Sequence, residues 1–95
     1  MSIEMTIRAL RPADRDQWQE LWRQYLAFYE TELPARIYDS TFHRLLGDDS
    51  RDFNGLVALS GDRLVGLTHF LFHRHAWKEE EVCYLQDLYA VPDLR

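Results

Sequence analysis

The alternation of apolar and polar positions divides the chain into regular elements. Residues 5–10 alternate weakly and predict a short first strand with Ile7 facing inward. Apolar residues then recur at helical spacing, which predicts one long amphipathic helix. Its stripe consists of Trp18, Leu21, Trp22, Tyr25, Leu26 and Tyr29. Asp14, with Gln17 three positions later, has capping-box spacing and predicts the helix start. The helix should end before Pro34, whose ring disfavours helical geometry in the preceding residue.

A second, shorter helix and three further strands follow. The helix is predicted from Asp39 or Ser40 to Gly47, a residue that commonly ends helices. Strands are predicted over residues 56–59, 64–73 and 82–90. Between the first two of these, Gly61 and Asp62 suit a two-residue hairpin turn. Short links between successive strands favour an antiparallel meander.

The predicted order is therefore strand, helix, helix and then three antiparallel strands, which is an α+β fold. Its 95 residues suffice for one domain but hardly for two. The two helices can cover only one face of such a sheet. We expect the other face, which carries Phe, Leu and Tyr residues, to stay largely uncovered.

Charge and cysteine content limit the classes of partner. A net charge of −5 argues against nucleic acid, because phosphate binding needs a basic surface, and it favours cationic ligands such as amines. Cys83 is the only cysteine, so no internal disulfide forms and a reducing compartment is expected. The N-terminus lacks the pattern of a signal peptide, and no apolar run has the length of a membrane span. The expected location is the cytoplasm, with no membrane partner.

Polar residues inside the predicted strands are the first candidates for chemistry. His69, His73 and His75 share parity, but His69 and His73 lie too far apart along a strand to share one metal ion. His73 and His75 could hold an ion together, but two ligands without a nearby carboxylate or Cys make a poor zinc site, so no metal site is predicted. A substrate contact or a surface role is expected for His73 and His75. Asp87 interrupts an apolar strand, so its charge must be hydrogen-bonded. We favour a structural role for it over a catalytic one.

Aromatic residues crowd the end of the first helix and the segment after it. Phe28 falls off the apolar stripe, Tyr29 lies at its end near Pro34, and Tyr38 follows shortly afterwards. These three residues are the candidates for a substrate pocket at this corner.

The last residues carry a family resemblance. The segment CYLQDLYAVPDLR, from Cys83 to Arg95, resembles the fourth strand and following turn of the GCN5-related N-acetyltransferases. IRALRPAD resembles the first strand of that superfamily, and DRLVGLTHF resembles its third. The LW-x-x-Y-x-x-FY helix and the tail are similar to small amine acetyltransferases of the histone and polyamine type.

The resemblance covers the whole chain but only the first half of the family's domain. It implies that residues 1–95 are the N-terminal part of a single acetyltransferase domain, truncated before the loop that binds the acetyl-CoA pyrophosphate. Arg95 matches the first letter of that loop. The resemblance also implies a bulge in the fourth strand, which frees a backbone N–H in the segment Leu88, Tyr89 and Ala90 to bind the acetyl carbonyl.

The general base does not carry over from the family. Many relatives have Glu where this chain has Gln86, which accepts no proton at neutral pH. Tyr84 shares the strand face of Gln86, so water relayed past these two residues is our first hypothesis. His73 on the neighbouring strand is the second candidate. Asp87 is expected on the other face unless the bulge redirects it.

Three functional hypotheses follow. In the first, the complete domain transfers an acetyl group from acetyl-CoA to a primary amine: a small amine, a polyamine, an amino acid, or a protein lysine or N-terminus. In the second, the 95-residue chain is non-catalytic by itself and forms a homodimer or higher oligomer, or complements a separate second half. In the third, the chain is an unrelated ligand-binding α+β domain.

Overall fold

The computed structural model describes residues 4–94, and its framework is one antiparallel sheet of four strands. In chain order they are β1 (Thr6–Ala9), β2 (Asn54–Ser60), β3 (Arg63–His73) and β4 (Val82–Ala90), and each pairs with the next. Helices α1 (Arg15–Phe28) and α2 (Ala35–Leu45) connect β1 to β2, and 3₁₀ turns span Pro12–Asp14 and Pro92–Leu94. The predicted α+β order is confirmed.

The apolar stripe of α1 fixes this helix to the sheet. The Trp18 side chain is fully buried, and the rings of Trp22 and Phe42 lie 5.2 Å and 5.1 Å from it, centre to centre. The sheet, together with the residue that follows β4, contributes buried aliphatic side chains to the same core, namely Val57, Leu59, Leu64, Val65, Leu67 and Val91. The stripe leaves the core at the end of α1, where Tyr29 is mostly exposed.

The start of α1 differs from the predicted capping box. The Asp14 side chain does not cap the helix. Its carboxylate accepts hydrogen bonds from the Arg11 backbone N–H at 2.8 Å and from the Arg8 guanidinium at 2.7 Å and 3.0 Å. Gln17 accepts a bond from the Leu64 backbone N–H, which ties α1 to the β2–β3 hairpin. The helix thus starts after Asp14 as predicted, but the predicted capping hydrogen bond was wrong, because the Asp14 carboxylate accepts from Arg8 and Arg11 instead.

Asp14→Asn tests this anchor. We expect the free energy of unfolding to fall by about 1–3 kcal/mol, because the buried side chain loses its charge-assisted bonds. The Arg8 hydrogen bond, opposed by burial, holds the pKa of Asp14 below its usual value. The folded pKa therefore lies below the unfolded one, so the contribution is present above about pH 4 and is lost as pH falls through the folded pKa.

Urea unfolding at several pH values measures this effect. Asp49→Asn is the control, because its ion pair with Arg51 is exposed and should add no measurable stability. Equal losses in the two variants, or a loss at Asp14 that does not shrink at low pH, would contradict the prediction.

Helix α2 begins earlier than predicted, at Ala35 instead of Asp39 or Ser40. Pro34 precedes it with φ −67° and an extended ψ of 154°, and no side chain caps this end. The usual Ser, Thr or Asp signal is therefore missing from the sequence, which is why the prediction was wrong. The early start places Tyr38 in the core beside Phe42.

The helices leave the second face of the sheet open, as expected. Ile7, Leu85 and Leu88 are each more than half exposed there. The inward facing predicted for Ile7 was wrong, because its neighbour Arg8 pairs with the buried Val57 and so takes the covered face. The hairpin between β2 and β3 turns at Gly61, whose φ of 62° suits a residue without a β-carbon.

Candidate active site

Strand β4 contains the expected bulge, but it lies earlier than the segment that was to use it. His69 pairs with Asp87 and the next residue of β3, Phe70, pairs with Leu85, so Gln86 is the additional residue. A bulge residue reverses the facing of the residues beyond it. Asp87 is the direct partner of His69 and shares its face, which is covered by α1, whereas residues of β4 before the bulge have the reversed facing.

Pairing along β3 and β4 determines which backbone groups face the open edge. The Val91 N–H bonds the Val65 carbonyl, so these opposite residues form a hydrogen-bonded pair. Such pairs alternate along an antiparallel ladder, which makes Thr68 and Leu88 a non-hydrogen-bonded pair. The Leu88 N–H accordingly points away from β3, towards the outer edge of the last described strand.

Beside this edge lies a shallow pocket of about 310 Å³. Its walls come from the end of α1 and the end of β4: Tyr25, Phe28, Tyr29, Leu88, Tyr89 and Ala90. Four of these six residues are aromatic. The structure thus brings two of the predicted substrate residues, Phe28 and Tyr29, together with the three predicted cofactor residues in the described range.

A backbone turn holds the aromatic wall of the pocket in place. Glu30 has a φ of 56°, and its N–H bonds the Ala27 carbonyl while the Thr31 N–H bonds the Leu26 carbonyl. This is the Schellman arrangement that ends many helices, built here on a residue other than glycine. It stops α1 directly after Phe28, so that Phe28 and Tyr29 project beyond the core.

The other predicted site residues are placed elsewhere. Tyr38 is only 6% exposed and its ring packs edge-on against Trp22 at 5.3 Å, so it belongs to the core and not to this pocket. Tyr38 was grouped with Phe28 by proximity in sequence, and the early start of α2 turns it inward. The prediction for Arg95 falls outside the described residues.

Tyr84 and His73 lie together near the far end of the β3–β4 pair, with their rings 6.4 Å apart. His73 is opposite Val82, six positions from Leu88, which corresponds to roughly 20 Å along a strand. Gln86 is exposed and lies between these two places. The structure does not bring His73 next to the Leu88 amide.

A buried chain of hydrogen bonds runs from α1 to β4. The Trp18 Nε1–H donates to His69 Nε2 at 3.0 Å, and His69 Nδ1 bonds the Asp87 carboxylate at 2.8 Å. An indole nitrogen is only a donor, so His69 Nε2 must be the acceptor and Nδ1 carries the hydrogen. The Nδ1–H of His69 is therefore directed at the Asp87 carboxylate, to which it donates.

Asp87 remains ionised despite its partly buried position. Burial raises its pKa, but the His69 hydrogen bond and smaller contributions from Tyr25 and Trp22 outweigh this and hold the pKa below its usual value. The Trp22 indole N–H lies close enough to Asp87 to lower its pKa, but it makes no hydrogen bond of ordinary geometry within residues 4–94. Burial, reinforced by Asp87, raises the pKa of Tyr25 to about 12, so Tyr25 stays protonated.

Sequence reasoning missed this chain of hydrogen bonds. His69 has the strand parity of the other histidines and was considered only as a metal ligand. Asp87 was expected on the face opposite Gln86 unless the bulge redirected it, and its side chain was not related to His69. The available signal was the pairing of one His and one Asp inside two neighbouring apolar strands. The structural role favoured for Asp87 agrees with its contact to His69, although the partner is a side chain that the sequence analysis did not foresee.

Residues 4–94 contain neither a cluster of metal-ligating side chains nor a membrane-spanning helix. No three His, Cys, Asp or Glu side chains in this range are grouped so that they could hold a metal ion. Neither described helix has the length and apolar character needed to cross a bilayer.

The chain is similar in sequence and in fold to known acetyltransferases. No protein-family model matches the chain. It is 33% identical over 94 residues to the D-amino-acid N-acetyltransferase HPA3 of Saccharomyces cerevisiae, and the match covers 96% of this chain and 57% of that protein. The chain thus spans little more than half the length of this curated relative.

Solved structures agree with this relationship at the level of the fold. A possible acetyltransferase from Clostridium difficile 630 superposes with a TM-score of 0.79 at 19% identity, over 99% of this chain and 61% of the other. The aminoglycoside acetyltransferase AAC(6')-Iy, solved with a bisubstrate analogue of CoA, gives a TM-score of 0.79 at 16% identity over 97% and 60%.

Proposed function

From the premise that this chain has the N-terminal half of the GCN5-related N-acetyltransferase fold, we propose that the complete domain transfers an acetyl group from acetyl-CoA to a primary amine. The observation that carries the proposal is the Leu88 N–H, which points outward from a kinked edge strand beside an aromatic pocket. The cytoplasm is the proposed location, in keeping with the single cysteine.

The Leu88 amide suits the electrostatic demand of the reaction. When the amine nitrogen attacks the acetyl carbon, the carbonyl oxygen gains negative charge and needs a donor that is already in place. The intermediate then collapses, the carbon–sulfur bond breaks, and the CoA thiolate leaves while the amine gives up a proton. Acetyl-CoA would lie along the outer edge of β4, against Leu88, Tyr89 and Ala90, and we assign Arg95 to its pyrophosphate.

The pocket suits a cationic acceptor. Aromatic faces attract ammonium groups, and four aromatic side chains line it. The Asp87 carboxylate, which interacts with Tyr25 in the pocket wall, adds negative potential close by. Among residues 4–94 no Arg or Lys lines this pocket, so an acceptor carboxylate would have to be held by other parts of the complete domain.

Water remains the proposed route for the proton of the ammonium group. Gln86 cannot accept this proton, and His73 lies too far from Leu88 for direct transfer. Tyr84 is about four strand positions, or roughly 13 Å, from Leu88, so it too would act only through water. We therefore retain Gln86, Tyr84 and His73 as candidate residues along a water-mediated path for the proton.

The complete domain tests the proposal directly. Acetyl-CoA is added with D-amino acids, aminoglycosides, polyamines or a lysine peptide, and the free thiol is measured. The first two classes are taken from the names of the similar proteins. Thiol release that depends on an amine is expected, and its absence with every class would contradict an acetyltransferase.

Phe28→Ala in the complete domain is expected to raise the KM for the amine by about tenfold, since a ring that contacts the cation is removed. The KM for acetyl-CoA should change little. Trp77→Ala removes another exposed aromatic side chain, which does not line the pocket, and serves as the control. Equal amine KM values in Phe28→Ala and the unmodified domain would remove Phe28 from the acceptor site.

A second candidate function concerns the 95-residue chain alone, and the open sheet face favours it. Ile7, Leu85 and Leu88 expose apolar surface there, and such surfaces promote association. We expect the isolated chain to be inactive and to form dimers or larger oligomers, or to bind a separately supplied second half.

Light scattering over a range of concentrations measures this association. The double variant Ile7→Lys/Leu85→Lys places two charges on the open face and should shift the chain towards monomer, whereas Trp77→Lys should not. A stable, compact monomer for the unmodified chain would contradict self-association.

A further inference from the structure

Two neighbouring residues of β3 hold Asp87 from opposite faces of the sheet. The Thr68 hydroxyl donates to the Asp87 backbone carbonyl at 2.9 Å, and His69 bonds the Asp87 carboxylate at 2.8 Å. His69 is buried, and Thr68 is partly buried on the open face. The Gln86 bulge interrupts regular pairing directly before Asp87. Both contacts therefore lie next to the point where the backbone hydrogen bonds between β3 and β4 are disrupted.

The contact from Thr68 acts on the same peptide unit that carries the proposed donor. The Asp87 carbonyl and the Leu88 N–H belong to one trans peptide group, which is planar, so they point in opposite directions. Fixing the carbonyl towards β3 therefore fixes the N–H away from it. A hydrogen bond to the carbonyl also polarises the amide and makes its N–H a stronger donor.

We propose that Thr68 and His69 are positioning residues for acetyl transfer: they hold Asp87 at both ends and so fix the direction of the Leu88 amide. The inference rests on the proposed function, and neither residue is assigned a contact with substrate. His69 can serve in this way because Trp18 fixes its tautomer, leaving the Nδ1 hydrogen for Asp87.

Thr68→Val in the complete domain replaces the hydroxyl by a methyl group of similar size. We expect kcat to fall about tenfold, the effect of one lost hydrogen bond, with both KM values within about twofold. Thr68→Ser restores the hydroxyl and should recover most of kcat. His69→Asn keeps a donor near the Nδ1 position and should retain more activity than His69→Leu. An unchanged kcat in Thr68→Val, or no recovery in Thr68→Ser, overturns the inference.

Nuclear magnetic resonance of the 95-residue chain separates positioning from folding and from the proposed activity. In Thr68→Val the Asp87 carbonyl carbon and the Leu88 amide proton should shift upfield, and in Thr68→Ser both should stay close to their original values. Unchanged resonances in Thr68→Val overturn the inference. If the unmodified complete domain transfers no acetyl group, the proposed function fails, while the resonances still decide whether Thr68 orients the Leu88 amide.

Discussion

Leu88→Pro in the complete domain is expected to lower kcat by about 10²–10³-fold, the usual effect of removing one oxyanion donor. Proline has no N–H, so the change deletes the proposed donor itself. Because the Leu88 N–H points away from β3, no ladder hydrogen bond is lost, and proline is tolerated at such outward positions of edge strands. The preceding residue, Asp87, is already in an extended strand, as proline requires.

Leu88→Ala is the matched control, because it removes the exposed side chain and keeps the N–H. Its kcat should remain within a few-fold of the unmodified domain. Circular dichroism of both variants checks that the sheet is intact, and steady-state thiol release measures kcat. A folded Leu88→Pro variant with nearly full kcat would show that the acetyl oxygen has a different donor.

Trp18→Ala is expected to lower the free energy of unfolding by about 3–5 kcal/mol, which would leave much of the chain unfolded at room temperature. Trp18 is fully buried and packs against Trp22, Phe42 and His69, so its removal leaves a cavity in the centre of the core. It also leaves His69 Nε2 without its donor. Both effects act in the same direction.

Urea unfolding followed by circular dichroism measures this loss, at several protein concentrations so that association does not disguise it. Trp77→Ala is the control, because Trp77 is 90% exposed and its loss should leave the unfolding midpoint unchanged. Trp18→Phe separates the two contributions, since it keeps most of the packing but not the hydrogen bond. A Trp18→Ala variant as stable as Trp77→Ala would contradict the described core.

The local sequence pattern predicted the bounds of some elements correctly and those of others wrongly. The bounds of β4 agree with the prediction because its alternating run lies between a charged loop and Pro92. The start of α2 was wrong because Pro34 replaces the usual capping side chain. Tyr38 was grouped with Phe28 because both are aromatic and close in sequence. Helix α2 directs the Tyr38 ring into the core, whereas Phe28 lies exposed at the end of α1.

The sequence by itself determined the order of elements and the apolar stripe that fixes α1 to the sheet. Only the tertiary structure decided the position of the bulge, because one additional residue in a strand leaves no mark in an alternating pattern. Directly after that residue, Gln86, Asp87 pairs with His69, whose other ring nitrogen accepts a hydrogen bond from Trp18. The contact between Trp18 and His69 joins residues that are 51 positions apart in the chain, and the contact between His69 and Asp87 joins residues that are 18 positions apart. Such contacts depend on packing, which the periodicity of the sequence does not encode.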